Sequence, residues 1–493
     1  MLLDPCALVP KRSRKAKFLI SSLYTRNLAI YRWENIGEHW GALGVRKNKI
    51  GFWSQVGITF FIVSGGPYGL ESAVGAIGAG RTLLLLFLIP VLWALPTTLM
   101  VSELSAMMPD RGGYYTWVKK AMGPFWGFQE GWWTLCYSAV DLAIYPVLFV
   151  TYLSYFWHGL QESVWRWPVA ACFALFGFLA NLRSSERVGK DKVWETFVVM
   201  MPFAVLVVIG LFFGDWNLPK TAILEVAKPK PEFTAGLSAG LAILIWNFTG
   251  WDNACTYADE IEDAATSIPK SQFFTLGLVV LSYILPLLAG YKATISPADW
   301  GQGSGWPDIA AKLAGPALGF FVACAAIISA WALYNSQLLY IARLPAAMAE
   351  HGMLPKILSH ESRHKKVPWV SLAIAASAAA ILCGFSLGKL MILDILLYCL
   401  GLSLEFISLI LLRIKQPNAA RPYRIPLNTF YLIAMSLFPL ALALLVAASS
   451  LTGEAGSPLQ LEMAAGAVII GFILYKVFLH KKKLNDSVRQ GSR

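Results

Sequence analysis

The stretch Ile62-Val-Ser-Gly-Gly-Pro-Tyr-Gly-Leu-Glu71 interrupts one apolar span, and Trp246-Asn-Phe-Thr-Gly-Trp-Asp252 interrupts another. Both stretches are predicted to break a helix, because glycine tolerates non-helical backbone angles and proline lacks a backbone donor. When the last glycines of the two stretches are aligned, Glu71 aligns with Asp252. Inside a bilayer, such a break is stable only where protein or a water-filled cavity satisfies the freed backbone groups. Two matching breaks, each followed by an acid, therefore predict a ligand site at mid-membrane.

The composition places these breaks in an integral membrane protein. Hydrophobic residues make up 57% of the 493 residues and charged residues only 14%, which is too apolar for an ordinary soluble enzyme. About twelve stretches are long and apolar enough to cross a hydrocarbon core of about 30 Å. They cover roughly residues 51–78, 82–106, 127–156, 167–183, 190–213, 236–259, 272–294, 316–342, 369–387, 390–412, 430–451 and 462–479. The predicted fold class is all-α, with about twelve transmembrane helices in one bundle.

The positions of the breaks predict an internal repeat. They fall in the first and sixth predicted spans, so the repeat unit is five spans, and an odd number makes the second unit enter the membrane from the opposite side. The prediction is a five-plus-five inverted repeat with discontinuous helices 1 and 6, followed by two extra helices. The alternative is that the two short stretches match by chance and that the chain has no repeat. The predicted domains are a basic cytoplasmic arm (1–50), a transmembrane domain (51–480) and a basic cytoplasmic tail (481–493). Within the transmembrane domain, repeat one covers about 51–213, repeat two about 236–413 and the extra helices about 430–480.

The net charge of +12 reflects membrane topology in this interpretation. If both termini are cytoplasmic, about 33 of the 41 basic residues face the cytoplasm, as the positive-inside rule expects. The excess positive charge then contacts anionic lipid. Nucleic-acid binding is not expected, because the chain has no compact basic domain. The predicted location is the cell membrane.

Several motifs together resemble a known transporter superfamily. Ser102-Glu-Leu-Ser-Ala-Met-Met-Pro-Asp-Arg-Gly-Gly-Tyr-Tyr115 is similar to the span 2–3 signature of the amino acid–polyamine–organocation superfamily. Other stretches resemble its polyamine uptake branch of plants and protozoa, which is related to the L-type amino acid transporters. They are Ser64–Glu71, Gly123–Trp133 continuing through Asp141 to Tyr145–Phe149, Trp246–Asp252, His351–Pro355, Leu397–Gly401 with Glu405, and Arg421–Pro426. The resemblance covers about residues 50 to 450 and implies secondary active transport on a five-plus-five fold.

The two acids after the breaks are the first candidates for substrate binding. Glu71 and Asp252 can face a central cavity and pair with a substrate ammonium, or each can simply cap its restarted half-helix. Amino acid carriers that resemble this chain hold the substrate carboxylate on N–H groups of the span-1 break. Here Gly65 and Gly66 still offer such donors, but Pro67 removes one and Glu71 adds negative charge. This difference favours a di- or polycationic substrate.

Further candidates lie near the middle of span 3 and beside the breaks. Asp141 is an intramembrane acid that can contact a cation, bind a proton or make an internal hydrogen bond. Tyr145 lies one turn further on. The rings of Tyr68, Trp246 and Trp251 can bind an ammonium by cation–π attraction, although core packing is the alternative for each.

The remaining polar candidates have mainly structural alternatives. Asn247 can bind substrate, although holding the broken backbone is favoured for it. Glu103 and Glu130, near the predicted cytoplasmic ends of their spans, are expected to be solvated or structural. The role of Glu405 stays open between gate, packing and proton transfer.

The predicted function is import of amino acids or polyamines by alternating access in symport with protons, with Glu71, Asp141 and Asp252 as candidate proton sites. A sodium site would need hydroxyls such as those of Ser329 or Ser336. The alternatives are an amino acid exchanger or neutral amino acid permease, and a non-transporting sensor subunit with the same fold.

Other classes of protein and partner are not expected. An enzyme is not expected, because the sequence has no paired histidines, zinc spacing or nucleophile with a base in register. The seven cysteines show no metal spacing, so no metal or cofactor is predicted. A disulfide-linked heavy chain, which the heteromeric animal branch of the superfamily attaches through an external cysteine, is not expected because residues 157–167 contain none.

Overall fold

A computed structural model describes the chain over most of its length. The described residues are 49–109, 112–160, 164–182, 188–213, 233–292, 300, 305–361, 367–452 and 458–491. The predicted N-terminal arm lies outside them except for positions 49 and 50. Within the described ranges the regular structure is helical, and β pairing is limited to the isolated bridges Ile50–Ile261 and Glu361–Pro368. The predicted all-α class is confirmed.

The helices are numbered here in chain order. They are α1 (Phe52–Val63), α2 (Leu70–Ile77), α3 (Ala79–Ile89), α4 (Leu95–Met107), α5 (Gly113–Met122), α6 (Pro124–Leu153), α7 (Arg166–Asn181), α8 (Val188–Phe213), α9 (Phe233–Trp246), α10 (Ala264–Lys292), α11 (Trp306–Ala314), α12 (Pro316–Ile341), α13 (Arg343–Glu350), α14 (Trp369–Leu382), α15 (Leu387–Lys415), α16 (Thr429–Thr452) and α17 (Pro458–Gly491). A π-helical turn, Pro90–Ala94, joins α3 to α4, and a 3₁₀ helix, Asn253–Glu260, follows the second break.

Eight of the described helical segments are long and apolar enough to cross a membrane. They are Ala79–Met107, Pro124–Leu153, Val193–Phe212, Ala264–Gly290, Pro316–Glu350, Leu387–Lys415, Thr429–Ala448 and Leu459–Phe478. Helices α1 and α14 are apolar but shorter. The prediction of a multi-span membrane protein is confirmed. The count of about twelve crossings and the inverted repeat stay predictions.

Several helix ends differ from the sequence prediction. Helix α10 begins at Ala264 instead of 272, and α17 runs to Gly491, into the segment predicted as a cytoplasmic tail. The short helices α5, α11 and α13 were not predicted as separate elements. Hydropathy detects the apolar middle of a helix and misses the polar turns at its ends, which explains these differences.

Helix α6 lies at the centre of the bundle and packs against α5, α12, α14 and α15. Helices α8, α16 and α17 lie at its periphery and expose large apolar side chains. Phe197, Phe212, Phe430, Leu444 and Ile469 are examples. An exposed apolar surface of this extent fits contact with lipid acyl chains.

A buried ion cluster fixes the end of α4 to the segment after α15. Glu103 is fully buried and accepts hydrogen bonds from Arg413 Nε (2.6 Å) and Nη2 (2.5 Å). Arg421 Nε lies 3.2 Å from the same carboxylate, and the backbone N–H of Ile425 donates to it at 2.9 Å. Glu103 is therefore structural, which is one of the two roles expected for it, and it is not solvated.

Glu103→Gln is expected to lower the free energy of unfolding by about 3–5 kcal/mol, because it leaves a buried arginine without its carboxylate. Thermal unfolding of the purified protein in detergent measures the effect. Glu260→Gln is the matched control, since its ion pair with Arg343 leaves the Glu260 side chain 33% exposed and such pairs contribute about 1 kcal/mol or less. Equal melting temperatures for the two variants would contradict the structural role of Glu103.

Candidate functional site

The first break, between α1 and α2, is held open by contacts from other helices. Gly65, Gly66 and Gly69 all have positive φ, and a Cβ on Gly65 would lie 2.6 Å from Leu333 Cδ1. Ser329 Oγ donates to the Gly65 carbonyl, and Trp306 Nε1 donates to the Pro67 carbonyl at 2.7 Å. Protein groups therefore satisfy the freed carbonyls, as a break inside a membrane requires.

The second break, after α9, is satisfied in the same way. The carbonyls of Asn247, Phe248 and Trp251 accept hydrogen bonds from Tyr283 OH (2.7 Å), Trp93 Nε1 (3.1 Å) and Gln272 Nε2 (2.8 Å), respectively. The φ angle of Gly250 is 90°, close to the 88° of Gly69, the glycine aligned with it in the sequence. The backbone that follows differs, since an α-helix follows Gly69 and a 3₁₀ helix follows Asp252.

Asp141 on α6 joins both breaks in one hydrogen-bonded cluster. Its Oδ1 accepts a hydrogen bond from Trp246 Nε1 at 3.0 Å. Its Oδ2 accepts from Tyr145 OH and from Gln337 Nε2, both at 2.7 Å. Gln337 Nε2 also lies 3.3 Å from the Ile62 carbonyl, just before the first break. The predicted residues Asp141, Tyr145 and Trp246 therefore contact one another directly.

Glu71 lies in a separate group at the start of α2. Its Oε1 accepts a hydrogen bond from Tyr152 OH at 3.1 Å, and its Oε2 has no hydrogen-bond partner among the described residues. The backbone N–H groups of Gly69 and Glu71 face the same carboxylate. The Tyr68 ring packs edge-on against Tyr152, with centroids 5.2 Å apart. Glu71 thus contacts neighbouring aromatic side chains at the start of α2, and no side-chain cap hydrogen bond is found there.

Asp252 contacts α15 through one tyrosine. Tyr398 OH donates to its Oδ1 at 2.6 Å, and the Gly250 N–H donates to the same hydroxyl at 3.4 Å. The Tyr398 ring packs edge-on against Tyr137, whose OH donates to Asn253 Oδ1 at 2.8 Å. The Asp252 side chain makes no cap hydrogen bond to the helix that follows. Capping therefore does not explain this acid.

Two more acids near Asp252, Glu130 and Glu405, are also buried. Glu130 is 0% exposed and accepts a hydrogen bond from Thr134 Oγ1 at 3.3 Å. Of the two roles expected for Glu130, solvated or structural, the structure excludes the solvated one, because α5 and α15 cover this part of α6. Glu405 on α15 is 1% exposed and interacts electrostatically with Glu130 and Asp252.

The charge balance of the described core is strongly acidic. Arg413 and Arg421 have cationic side chains that are each only 4% exposed, and both pair with Glu103. Six other carboxyls are buried without an ion pair in the described part of the chain: Glu71, Glu130, Asp141, Asp252, Asp394 and Glu405. Groups of three or more potential metal ligands are not found among the described residues.

Four further predicted residues donate hydrogen bonds within the protein: Trp251, Asn247, Gly65 and Gly66. Trp251 is fully buried, and its Nε1 donates to the Phe248 carbonyl at 2.9 Å. Asn247 Nδ2 donates to the Ile243 carbonyl at 2.8 Å, which agrees with a backbone-holding role. The N–H of Gly65 donates to the Phe60 carbonyl at 3.0 Å, and the N–H of Gly66 to Ser64 Oγ at 3.1 Å.

Sequence reasoning missed four residues of these groups: Tyr152, Gln337, Asp394 and Tyr398. A signal existed for some of them. Gln337 is one of two amides, with Asn335, in the apolar stretch of α12, and Tyr398 lies in the Leu397–Gly401 motif. Of the two hydroxyls considered for sodium, Ser329 contacts the first break, whereas Ser336 donates to the Ala332 carbonyl of its own helix.

Comparison with known proteins identifies the family. A model of the amino acid permease family matches residues 50–473. Polyamine transporter PUT1 of Oryza sativa subsp. japonica is 33% identical over 475 residues, which cover 92% of this chain and 83% of the relative. Polyamine transporter RMV1 of Arabidopsis thaliana is 33% identical over 429 residues, covering 86% and 84%. The serine/threonine exchanger SteT of Bacillus subtilis is 25% identical over 423 residues, covering 82% and 93%.

These similarities confirm the resemblance of the sequence motifs to polyamine uptake transporters. The relatives are named as transporters and not as enzymes, which agrees with the predicted class. The chain belongs to the amino acid permease family of the amino acid–polyamine–organocation superfamily.

Proposed function

We propose that this transporter imports polyamines across the cell membrane by alternating access, coupled to protons, with both termini in the cytoplasm. The observation that carries the proposal is the set of six buried carboxyls without a cationic partner in the described core. A buried carboxylate is costly unless a proton or a cation neutralises it. A polyamine supplies several ammonium groups and no carboxylate, so its charge complements this interior.

Asp141 and its neighbours support a central ammonium site. The carboxylate lies between the two breaks, and the rings of Tyr145 and Trp246 have centroids 6.2 Å apart beside it. A carboxylate with adjacent aromatic faces binds an ammonium by charge and by cation–π attraction. Glu71 and Asp252 extend the acidic lining beyond each break.

The first break is poorly suited to a substrate carboxylate. The N–H groups of Gly65 and Gly66 already donate within the protein, and Pro67 has none. The carboxylate of Glu71 follows and would repel a second anion. A neutral amino acid would therefore lack the donors that its carboxylate needs here.

Proton coupling follows from the same charge balance. Without substrate, neutralisation of the buried acids requires protons; with substrate bound, the ammonium groups replace them. Glu71, Asp141 and Asp252 are the proposed proton sites. The empty transporter would then return in the protonated form and carry protons in the direction opposite to the substrate, so the proposed coupling is an exchange of polyamine for protons and differs from the symport expected from the sequence.

Amino acid exchange is the second candidate function, because the similarity to a serine/threonine exchanger extends over most of both chains. A non-transporting sensor with this fold would bind substrate without flux. Transport measurements with the purified protein distinguish these functions from polyamine import.

Substitution of the central acids is the first test. Asp141→Asn, Glu71→Gln and Asp252→Asn are each expected to reduce polyamine uptake by about tenfold or more, since hydrogen bonds to charged groups contribute about 1.5–3 kcal/mol. The measurement is initial uptake by proteoliposomes that contain equal amounts of folded protein. Glu350→Gln, at an exposed position on α13, is the matched control and should transport normally. Normal uptake by all three variants would contradict the proposed site.

Competition among substrates is the second test. Putrescine, spermidine, arginine, leucine and glutamate are offered to proteoliposomes with and without an outward proton gradient (acidic inside). The expected result is strongest competition by the polyamines and faster uptake with the gradient, because the site is acidic and lacks free donors for a carboxylate. Preferential uptake of leucine that does not depend on the proton gradient would contradict both the proposed substrate class and the proposed proton coupling.

A further inference from the structure

Four of the buried acids lie at regular positions on two packed helices. Glu130 and Asp141 are eleven residues apart on α6, and Asp394 and Glu405 are eleven residues apart on α15. Eleven residues make about three helical turns and about 16 Å of rise, so the two acids of each helix lie on one face. Helices α6 and α15 pack against each other.

The acids of one helix lie within electrostatic range of the acids of the other. Asp394 interacts electrostatically with Asp141, and Glu405 interacts with Glu130 and Asp252. The order of the pairs is reversed along α15, so the helices run antiparallel. The result is two acidic levels about 16 Å apart along α6: a central pair, Asp141 and Asp394, and a second group, Glu130, Asp252 and Glu405.

The second level contains carboxylate oxygens without partners. Glu130 Oε2 and Glu405 Oε2 are buried and have no hydrogen-bond partner among the described residues. The glycine at 401 lets α15 approach Glu130, since a Cβ there would lie 2.9 Å from Glu130 Oε1. The edge-on pair of Tyr137 and Tyr398 rings belongs to the same two helices, between the two acidic levels in sequence. Unpartnered acceptors next to aromatic rings suit an ammonium.

We propose that Glu130, Asp252 and Glu405 form a second ammonium site and that it binds one end of a long polyamine whose other end occupies the Asp141–Asp394 level. This inference rests on the proposed polyamine function and adds a selection by chain length. The second site becomes accessible when alternating access opens this part of the bundle.

The spacing selects among polyamines. An extended chain advances about 1.2 Å per bond, so the terminal nitrogens are about 16 Å apart in spermine, about 11 Å in spermidine and about 6 Å in putrescine. A tetraamine of spermine length therefore spans both levels. Putrescine occupies one level at a time, so the second level does not increase its binding affinity.

The test is equilibrium binding of putrescine and spermine to the purified full-length protein in detergent, by calorimetry. Glu405→Gln and Glu130→Gln are each expected to lower the ratio of spermine to putrescine affinity by about tenfold, the usual effect of losing one charged hydrogen bond. Gly401→Ala should lower the same ratio by crowding Glu130. Glu462→Gln, exposed on α17, is the matched control and should leave the ratio unchanged.

The glutamine variants are expected to fold, because they remove a buried charge without leaving an unpaired partner charge. Glu405→Asp keeps the charge and provides a second variant that should retain most of the spermine preference. A ratio that stays within twofold of the wild type in the folded variants overturns the second site. So does an equal loss for both ligands, which is the result expected if the two carboxyls merely share a proton. Failure of the wild-type protein to bind either polyamine would instead overturn the proposed function.

Discussion

The dominant physical constraint in this protein is uncompensated negative charge in a membrane-embedded core. Helix α6 contributes Glu130 and Asp141 to it, and α15 contributes Asp394 and Glu405. Charges in such an environment need a partner. The arginines with buried side chains in the described core, Arg413 and Arg421, are both paired with Glu103. The remaining acids depend on protons or on a cationic ligand, and this dependence connects the fold to its proposed transport cycle.

The two helix breaks lie next to the acids of the proposed ligand site. Each break removes helical hydrogen bonds, and side chains from other helices replace them, such as Trp306 at the first break and Tyr283 at the second. Asp141 contacts groups on both sides of the site through Trp246 and Gln337. A movement of one broken helix against α6 therefore changes the surroundings of this carboxylate directly, as alternating access around a fixed site requires.

The sequence predicted the features that depend on local chemistry. The glycine pattern identified both breaks, and Gly69 and Gly250 indeed share a left-handed backbone. The candidates Asp141, Tyr145 and Trp246 lie together, and their role in substrate binding stays a prediction. The pairing of Glu103 with Arg413 and the burial of Glu130 could not be predicted, because they depend on which helices pack together. Hydropathy also placed several helix ends wrongly, since it does not detect polar terminal turns.

The central claim is that substrate ammonium groups replace protons on buried acids. Calorimetry of spermidine binding in buffers of different ionisation enthalpy measures proton release directly. The account predicts that protons are released on binding and that Asp141→Asn reduces the number released. Spermidine binding without proton release, or a proton release that is unchanged in Asp141→Asn, would contradict it.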